Sequence, residues 1–474
     1  MTVEDEIPPQ DLTSSPPSAP PQGGAARALL TLALILSLTA NGILVFRLLE
    51  AESSATKEQK RSGVLADELE AARKALRAGA RPDNPIDAIA TAVSRLRGLA
   101  FKTSVIPEVL TPAKFKQRVA EQFRKDADAE EFAATGKVLK VMGLLAPQAD
   151  LFAMVERLQA EQVVGFYDNK TKKLVVSATG TGALSPLDRA LLAHELTHAL
   201  TDQHFDLGRL DELQDTQKDD EAMAYLALAE GDATLTMRLY QEQILTEEER
   251  RRLSEEARGL SQDVLDAAPK YLQYALEFPY VRGFDFVKGM YDRGGFELVD
   301  QAYGDPPVSS EQILHPGKYL DTRDAPVSVR MPDVRGAMGA GWRTLQDGGM
   351  GEFDVRALVD YGGAGLSLSD AIDASSGWDG GRYVGIEGED GVLVASLTAW
   401  DSVGRAREST RILGRWLPMR FRNQGKAFEV GGDGRGWSAK NGAAVVLRNG
   451  DRVLLLIGPS IDAVKRARTS FDGF

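Results

Sequence analysis

A five-residue segment, HELTH at residues 194–198, constrains this chain more than any other feature. Two histidines four positions apart lie on one face of an α-helix, so both imidazoles can reach a single metal ion. The protein has only four histidines, and three of them fall between residues 194 and 204. The intervening Glu195 points to the adjacent side, where it can take a proton from water without ligating the metal. The segment predicts a zinc site with His194 and His198 as ligands.

The flanking sequence predicts how this segment is held. Ser185 is followed by a proline and, three residues later, by Asp188, a pattern that opens a helix, here from residue 186 to about 203. Immediately before it, VVGFYD and KLVVSA lie on either side of the turn-like residues 169–171 and predict a β-hairpin. We therefore expect a hairpin that leads directly into the HELTH helix.

A third metal ligand must come from another part of the chain. A helix predicted over residues 219–247 carries Glu230 in an otherwise apolar stretch, AMAYLALAEG. A carboxylate in such surroundings is costly to bury unless it is paired or binds metal. We therefore favour Glu230 as the third ligand, and the competing carboxylates are Asp220, Glu221 and Asp232.

These motifs resemble a known group of enzymes. HELTH followed by AEGDA is similar to the glutamate zincins, zinc metallopeptidases whose third ligand is the glutamate of the second motif. More closely, residues 100–410 resemble a bacterial family of zinc metallopeptidase-like membrane proteins. The matching segments are VVGFYD, HELTHALTDQHFDL, ALAEGDATL, FPYVRGFDFV, PPVSSEQILHPGKY and, more loosely, GWDGGRY and WDS. The resemblance implies Zn²⁺ as the cofactor and a peptide or protein as the substrate.

The resemblance also implies a role for the hairpin. In zincins, an edge strand ahead of the HExxH helix pairs with an extended peptide through main-chain hydrogen bonds. We expect residues Val175 to Ser177 to be that edge. An ordinary hairpin on a helical domain is the alternative.

The remaining candidate residues have less defined roles. His204 lies six residues after His198, so a continuous helix turns it away from the metal-binding face, and we expect a structural role. His315 precedes a proline and is therefore in an extended or turn segment. It is a candidate donor to the oxyanion of a tetrahedral intermediate, with packing at a helix end as the alternative. Tyr225 and Tyr240 are further candidate donors.

The N-terminal residues predict membrane attachment. Residues 1–27 are rich in proline, serine and acidic residues and are predicted to be a disordered tail. Residues 28–46 are uncharged and long enough to span a ~30 Å hydrocarbon core as a single transmembrane helix. Residues 47–84 are predicted to be a helical stalk, whose leucines at near-heptad spacing suggest self-association. More basic residues follow this span than precede it, which favours a cytoplasmic C-terminal part. Since a single N-terminal anchor most often exports the soluble domain behind it, we expect a periplasmic or extracellular C-terminal part instead.

Two globular units are expected after the stalk, giving an α+β protein. Residues 85–324 are predicted to form a mainly helical zincin-like domain. Residues 325–474 contain all five tryptophans and many glycines, and runs such as GVLVASLTAW predict a smaller α+β accessory unit with a β-meander and a final helix at 459–468. The glycine-rich residues 431–436 are not followed by a helix pattern, so we interpret them as a turn and not as a phosphate loop.

The composition excludes several kinds of site and argues against one class of partner. The absence of cysteine excludes thiolate metal sites, cysteine nucleophiles and disulfides. A net charge of −13 argues against a nucleic-acid partner. The sequence thus predicts a membrane-anchored zinc metallopeptidase that hydrolyses peptide bonds with Glu195 as general base. The alternatives are an inactive zincin-like protein, whose zinc site is closed by a fourth ligand such as His204 or Asp232, and an envelope scaffold that binds partners.

Overall fold

The structure is a computed structural model that describes residues 85–474 apart from 163–164, 178–183, 217, 261–262 and 364. The predicted tail, transmembrane helix and stalk lie outside the described residues. Within the described part of the chain, no helix is both long enough and apolar enough to cross a membrane.

The described chain is α+β, as predicted: a mainly helical part comes first, and a seven-stranded sheet comes after it. The helices of the first part are α1 (Pro85–Arg97), α2 (Pro112–Asp126), α3 (Ala129–Met142), α4 (Leu151–Gln162), α5 (Pro186–Phe205), α6 (Arg209–Asp215), α7 (Asp219–Gln243), α8 (Glu247–Arg258), α9 (Asp263–Ala267), α10 (Lys270–Gly304), α11 (Ser310–Leu314) and α12 (Pro316–Leu320). Its strands are β1 (Glu108–Leu110), β2 (Gly165–Asp168) and β3 (Lys173–Ser177).

The helix that carries HELTH is α5, and the predicted signals at its start are present. The Ser185 side chain accepts from the Asp188 amide and the Asp188 carboxylate accepts from the Ser185 amide, which completes a capping box. Nearly every residue from 190 to 202 is buried, because α1, α7, α8 and the hairpin pack around the helix. The HELTH segment therefore lies inside the helical part and not on its surface.

The predicted hairpin is confirmed as β2 and β3, but the expected edge is wrong. β3 is the central strand of a three-stranded sheet, antiparallel to β2 and parallel to β1. Glu108 lies opposite Val175 and Leu110 lies opposite Ser177, so β1 covers the residues we expected to be free. The strand next to α5 is β2. The pairing of β1 with β3 joins segments more than 60 residues apart, which a local pattern does not reveal.

Helices α7 and α10 are in unusually close contact. A Cβ atom on Gly283 of α10 would lie 2.1 Å from the carbonyl oxygen of Ala227 on α7. A Cβ on Gly231 would lie 2.2 Å from the carbonyl oxygen of Gly283. The two backbones therefore touch directly at the residue that follows Glu230, and only glycine allows this distance.

The C-terminal part contains α13 (Val334–Met338), β4 (Arg343–Gly349), α14 (Glu352–Tyr361), α15 (Leu368–Ser375), β5 (Trp378–Gly388), β6 (Gly391–Trp400), α16 (Val403–Arg420), β7 (Lys426–Phe428), β8 (Arg435–Ala439), β9 (Gly442–Asn449), β10 (Arg452–Gly458) and α17 (Ile461–Arg468). The sheet is antiparallel with the order β4-β5-β6-β10-β9-β8-β7. The predicted meander is present as two meanders that meet where β6 pairs with β10. The predicted final helix is α17.

Helices cover both faces of this sheet. Residues 444 and 446 of β9 belong to the same apolar cluster as α16, whereas residues 443, 445 and 447 belong to the cluster of α17. Successive side chains of a strand point to opposite faces, so α16 and α17 lie on opposite sides.

The two parts share a hydrophobic core. The largest apolar cluster contains Phe132 and Phe278 from the helical part together with Phe353, Trp400 and Trp416. The ring of Phe353 is also stacked on a tyrosine of α10, with centroids 4.8 Å apart and planes 5° from parallel. The predicted boundary at residue 324 thus separates the sheet from the helices in sequence but does not divide the core.

Candidate metal centre

The structure brings together the three predicted metal ligands. His194 and His198 come from consecutive turns of α5, and Glu230 comes from the middle of α7, which packs against it. The two Nε2 atoms are 2.9 Å apart, and the Glu230 Oε2 atom lies 3.2 Å from that of His194 and 3.4 Å from that of His198. All three side chains are buried.

These distances fit a tetrahedral metal site. Zinc–ligand bonds of about 2.0–2.1 Å place neighbouring ligand atoms about 3.3–3.4 Å apart in a tetrahedron. The two distances to Glu230, 3.2 and 3.4 Å, agree with that value, and the separation of 2.9 Å between the two histidine nitrogens is shorter. Two imidazole nitrogens and one carboxylate oxygen are also a donor set that zinc accepts. In the described part of the chain, no other group of three or more such side chains meets at these distances.

The pKa values of the three candidate ligands depend on one another. Burial dominates at His194 and lowers its pKa. At His198, burial alone would lower the pKa, but the charges of Glu230 and Glu195 and the hydrogen bond to Glu230 raise it to about 9. At Glu230, burial alone would raise the pKa, but the charge of His198 and hydrogen bonds from both histidines lower it to about 2. The neighbouring histidines thus favour the ionised form of Glu230, which is the form in which a carboxylate binds a metal.

Glu195, the predicted base, lies beside the ligands and is held by the hairpin. Its carboxylate is buried and close enough to raise the pKa of His198. Its Oε2 atom accepts a hydrogen bond from the backbone N–H of Tyr167 on β2 at 2.9 Å. Glu195 also lines a cavity of about 70 Å³ together with Gly165 and Val176. The carboxylate thus connects the HELTH helix, the hairpin and a small cavity.

The sequence pattern did not reveal the side chains that anchor the hairpin. The Tyr167 hydroxyl donates to Asp202, one turn beyond His198, at 2.6 Å, and burial with this hydrogen bond raises the Tyr167 pKa well above its usual value. Lys172 in the hairpin turn also donates to Asp202, at 2.7 Å. Tyr167 is part of the matching segment VVGFYD. Its hydrogen bonds to Glu195 and Asp202 depend on how β2 packs against α5, which the segment alone does not show.

A buried ion pair supports α7 next to Glu230. Asp232 accepts from the Arg97 Nε atom at 2.7 Å, and both side chains are almost fully buried. Asp232 also accepts from the hydroxyls of Thr201 and Tyr303. This network links the end of α1 to α5, α7 and α10 and was not predicted from the sequence.

The three competing carboxylates have other partners. Asp232 is engaged with Arg97, as described above, and Glu221 pairs with Lys218 at 3.0 Å. Asp220 lies at the first turn of α7 and hydrogen-bonds with Ser310. The choice of Glu230 over these carboxylates is therefore consistent with the geometry.

The remaining histidines also have identified partners. The His204 Nε2 atom donates to the carbonyl of Ala100 at 2.8 Å, which fits the expected structural role. His315 lies between α11 and α12, and its Nε2 atom is 3.0 Å from Glu352 on α14. This contact gives no support to an oxyanion role for His315, which stays a prediction.

The two tyrosines suggested as donors lie in other surroundings. Tyr225 packs edge-on against Tyr303. Tyr240 lies near Arg189, and burial raises its pKa to about 12. Tyr280, which the sequence analysis did not single out, lies next to a candidate ligand. Its buried ring stacks on His194 with a centroid distance of 6.1 Å. It belongs to the segment FPYVRGFDFV, which helped to define the resemblance.

The comparison with known proteins found a match only in the C-terminal part of the chain. Residues 343–468 match a domain of unknown function (DUF8575). This match begins at β4 and ends at α17, so it covers the seven-stranded sheet and excludes the candidate metal centre. No curated protein matches the chain, and no solved structure does.

Proposed function

We propose that this protein is a membrane-anchored zinc metallopeptidase that hydrolyses peptide bonds with Glu195 as its general base. The observation that carries the proposal is the meeting of His194, His198 and Glu230 at tetrahedral spacing. A carboxylate on the residue after the first ligand completes the set of groups that metal-assisted hydrolysis requires. The same arrangement supports zinc as the cofactor and a zincin-like organisation of the helical part.

The surroundings of the site favour a catalytic zinc over a structural one. A structural zinc has four protein ligands, whereas a catalytic zinc leaves one position open. The two residues proposed to close the site are His204 and Asp232, and their side chains bond to Ala100 and Arg97 instead. The described residues thus supply three ligands at the required spacing.

Each residue then has a separate task. His194, His198 and Glu230 would hold the metal, which when bound would polarise the substrate carbonyl and acidify water. Glu195 would accept the proton of the attacking water and return it to the leaving amine. The Tyr167 amide would fix one oxygen of Glu195, so that the base does not rotate away from the site.

We also propose that an extended peptide binds along the free edge of β2. The Tyr167 N–H bonds to Glu195, so it points away from β3. Alternation in an antiparallel pair gives the main-chain groups of Gly165 the same direction. Gly165 lines the cavity beside Glu195, and its main-chain groups would pair with the substrate there. This replaces the expectation that Val175 to Ser177 form the edge.

The membrane part of the proposal rests on residues 28–46, whose apolar length matches a bilayer. A single anchor near the N-terminus followed by a large domain favours export, so we propose that the metal centre acts in the periplasm or outside the cell. The stalk at residues 47–84 is proposed to self-associate.

The central experiment measures zinc content and casein degradation by the full-length protein and its variants. Glu195→Gln keeps both imidazoles and Glu230, so it should retain about one zinc per chain while its rate falls ~10²–10⁴-fold. Glu230→Ala removes an anionic ligand and should lose the metal. Glu221→Ala is the matched control, because it removes a carboxylate from the same helix without touching the site and should keep both zinc and activity.

Each outcome bears on a different part of the proposal. Full activity in Glu195→Gln would refute the hydrolytic mechanism. Stoichiometric zinc in Glu230→Ala would refute the ligand assignment. A parent protein that binds zinc but cleaves neither casein nor a mixed peptide library would favour the inactive zincin-like alternative.

A further inference from the structure

A groove of about 840 Å³ lies on the C-terminal part, between α16 and the loop that leads into β8. Its walls contain five arginines: Arg407, Arg411, Arg415, Arg435 and Arg448. The first three occur every four residues along α16, which places them on one helix face about 6 Å apart. The protein as a whole is acidic, with a net charge of −13, so this concentration of positive charge is local.

Carboxylates neutralise only part of the positive charge. Arg448 pairs with Asp433 within the groove wall. Arg411 pairs with a glutamate one turn earlier on α16 at 2.6 Å, and Arg415 pairs with Asp370 at 2.7 Å. Except for Arg448, these arginines are exposed, where an ion pair with a neighbouring carboxylate is weak and can be exchanged for one with a ligand.

The positive charges of the other two arginines are not neutralised by a carboxylate. Arg407 and Arg435 are exposed, and neither guanidinium group has a hydrogen bond or an ion pair with any residue in the described ranges. They come from opposite walls, α16 and the start of β8. Gly414 allows the Arg435 side chain to approach α16, because a Cβ there would lie 2.8 Å from it.

The other walls of the groove are aromatic and glycine-rich. The indole of Trp437 is oriented by a hydrogen bond from its Nε1 atom to the carbonyl of Gln424 at 2.8 Å. The loop before β8 turns at Gly431 and Gly432, which have φ values of 79° and 55°. This loop is the turn predicted from residues 431–436, and no helix follows it. The groove is thus not a phosphate loop, and its positive charge comes from side chains.

We propose that this groove binds a ligand that carries two or more phosphate groups. The planar guanidinium group pairs with phosphate oxygens through two parallel hydrogen bonds, and each phosphate brings up to two charges. Because the arginines of α16 are about 6 Å apart and Arg435 faces them, one phosphate cannot engage them all. The volume is that of a small-molecule site. This inference is independent of the metal centre.

Isothermal titration calorimetry on the full-length protein in nonionic detergent tests the proposal. The probes are inorganic pyrophosphate, tripolyphosphate and mixed micelles that contain cardiolipin, whose head group has two phosphates. The double variant Arg407→Gln/Arg435→Gln removes two charges that support no other contact, so it should fold normally and bind at least ~10-fold more weakly. The matched control is Lys465→Gln/Arg466→Gln, which removes two exposed charges from α17 on the opposite face of the sheet.

The three probes distinguish the sources of the phosphate. Binding of tripolyphosphate or pyrophosphate that weakens in the groove variant and not in the control supports the proposal and assigns a soluble ligand. The same dependence seen only with cardiolipin supports it and assigns a lipid head group. Absence of binding to all three probes overturns it, and so does an equal loss in both variants.

Discussion

The close contact between α7 and α10 predicts that Gly283→Ala lowers the stability of the protein. The new methyl group would start 2.1 Å from the carbonyl oxygen of Ala227, whereas van der Waals contact requires more than 3 Å. The obstacle is backbone and not a flexible side chain, so the helices must separate by roughly 1 Å. Overpacking of this kind costs about 1–3 kcal/mol of unfolding free energy. We expect Gly283→Ala to be destabilised by that amount.

The same change should also disturb the proposed metal centre. Gly283 lies against Gly231, the residue that follows Glu230 on α7. Ligand positions in a metal site are tolerant to only about 0.2 Å, so a shift of α7 by a larger amount moves the Glu230 oxygen out of range. Changes of this kind behind the ligands typically cost 10–100-fold in metal affinity, and we expect a loss of that size.

The matched control is Gly289→Ala on the same helix. A Cβ at Gly289 would meet nothing within 4 Å, and replacing a helical glycine by alanine gains about 0.5–1 kcal/mol. Urea unfolding followed by circular dichroism at 222 nm gives the stability of both variants, and competition with a zinc chelator gives their affinity. If Gly283→Ala is as stable as the parent, or if Gly289→Ala loses as much, the close helix contact does not have the importance assigned to it.

Three further predictions concern a buried ion pair, a buried carboxyl and the membrane anchor. Arg97→Met leaves Asp232 buried without its cation and should cost about 3 kcal/mol in urea unfolding, whereas Arg293→Met breaks an exposed ion pair of similar length and should leave the unfolding free energy almost unchanged. Burial, with repulsion from neighbouring carboxylates, raises the pKa of Asp219 from 3.8 to about 8. The folded state then binds this proton more tightly than the unfolded chain does, so the contribution of Asp219 to stability is fully present below pH 3.8 and is lost as the pH rises through 8. Asp219→Asn should therefore gain stability over the parent between pH 5 and pH 8, and parallel urea curves across that range would show no divergence if the reasoning is wrong. Residues 28–46 should keep the full-length protein in the membrane fraction during carbonate washing, and release by high salt alone would contradict the anchor.

Several features of the fold and site were predictable because they depend on neighbouring residues. The capping box at Ser185 and the two-histidine face of α5 involve residues three and four positions apart, and both are present. Glu230 could be selected among four carboxylates because an acid in an apolar helix needs a partner, and the structure places it beside both histidines. The C-terminal strands β6 and β10 were evident from continuous apolar runs.

Other features were decided only by contacts between segments distant in sequence. The choice of edge strand depended on β1, whose three residues carry no strong strand pattern. The predicted boundary at 324 missed the shared core, because aromatic packing between α10 and α14 is invisible in either segment alone. The support of Glu195 by Tyr167 and the groove formed by Arg407 and Arg435 likewise require particular elements to dock.

There is a physical reason why the sequence predicts some of these features and not others. Helix caps, turns and the direction of side chains on a helix depend on backbone geometry within about four residues, so the amino-acid sequence determines them directly. Strand pairing and side-chain networks depend on which surfaces bury each other, and that choice minimises the free energy of the whole chain. The sequence by itself therefore determined which residues are candidate metal ligands, and only the tertiary structure decided which backbone lies beside them and which arginines line one groove.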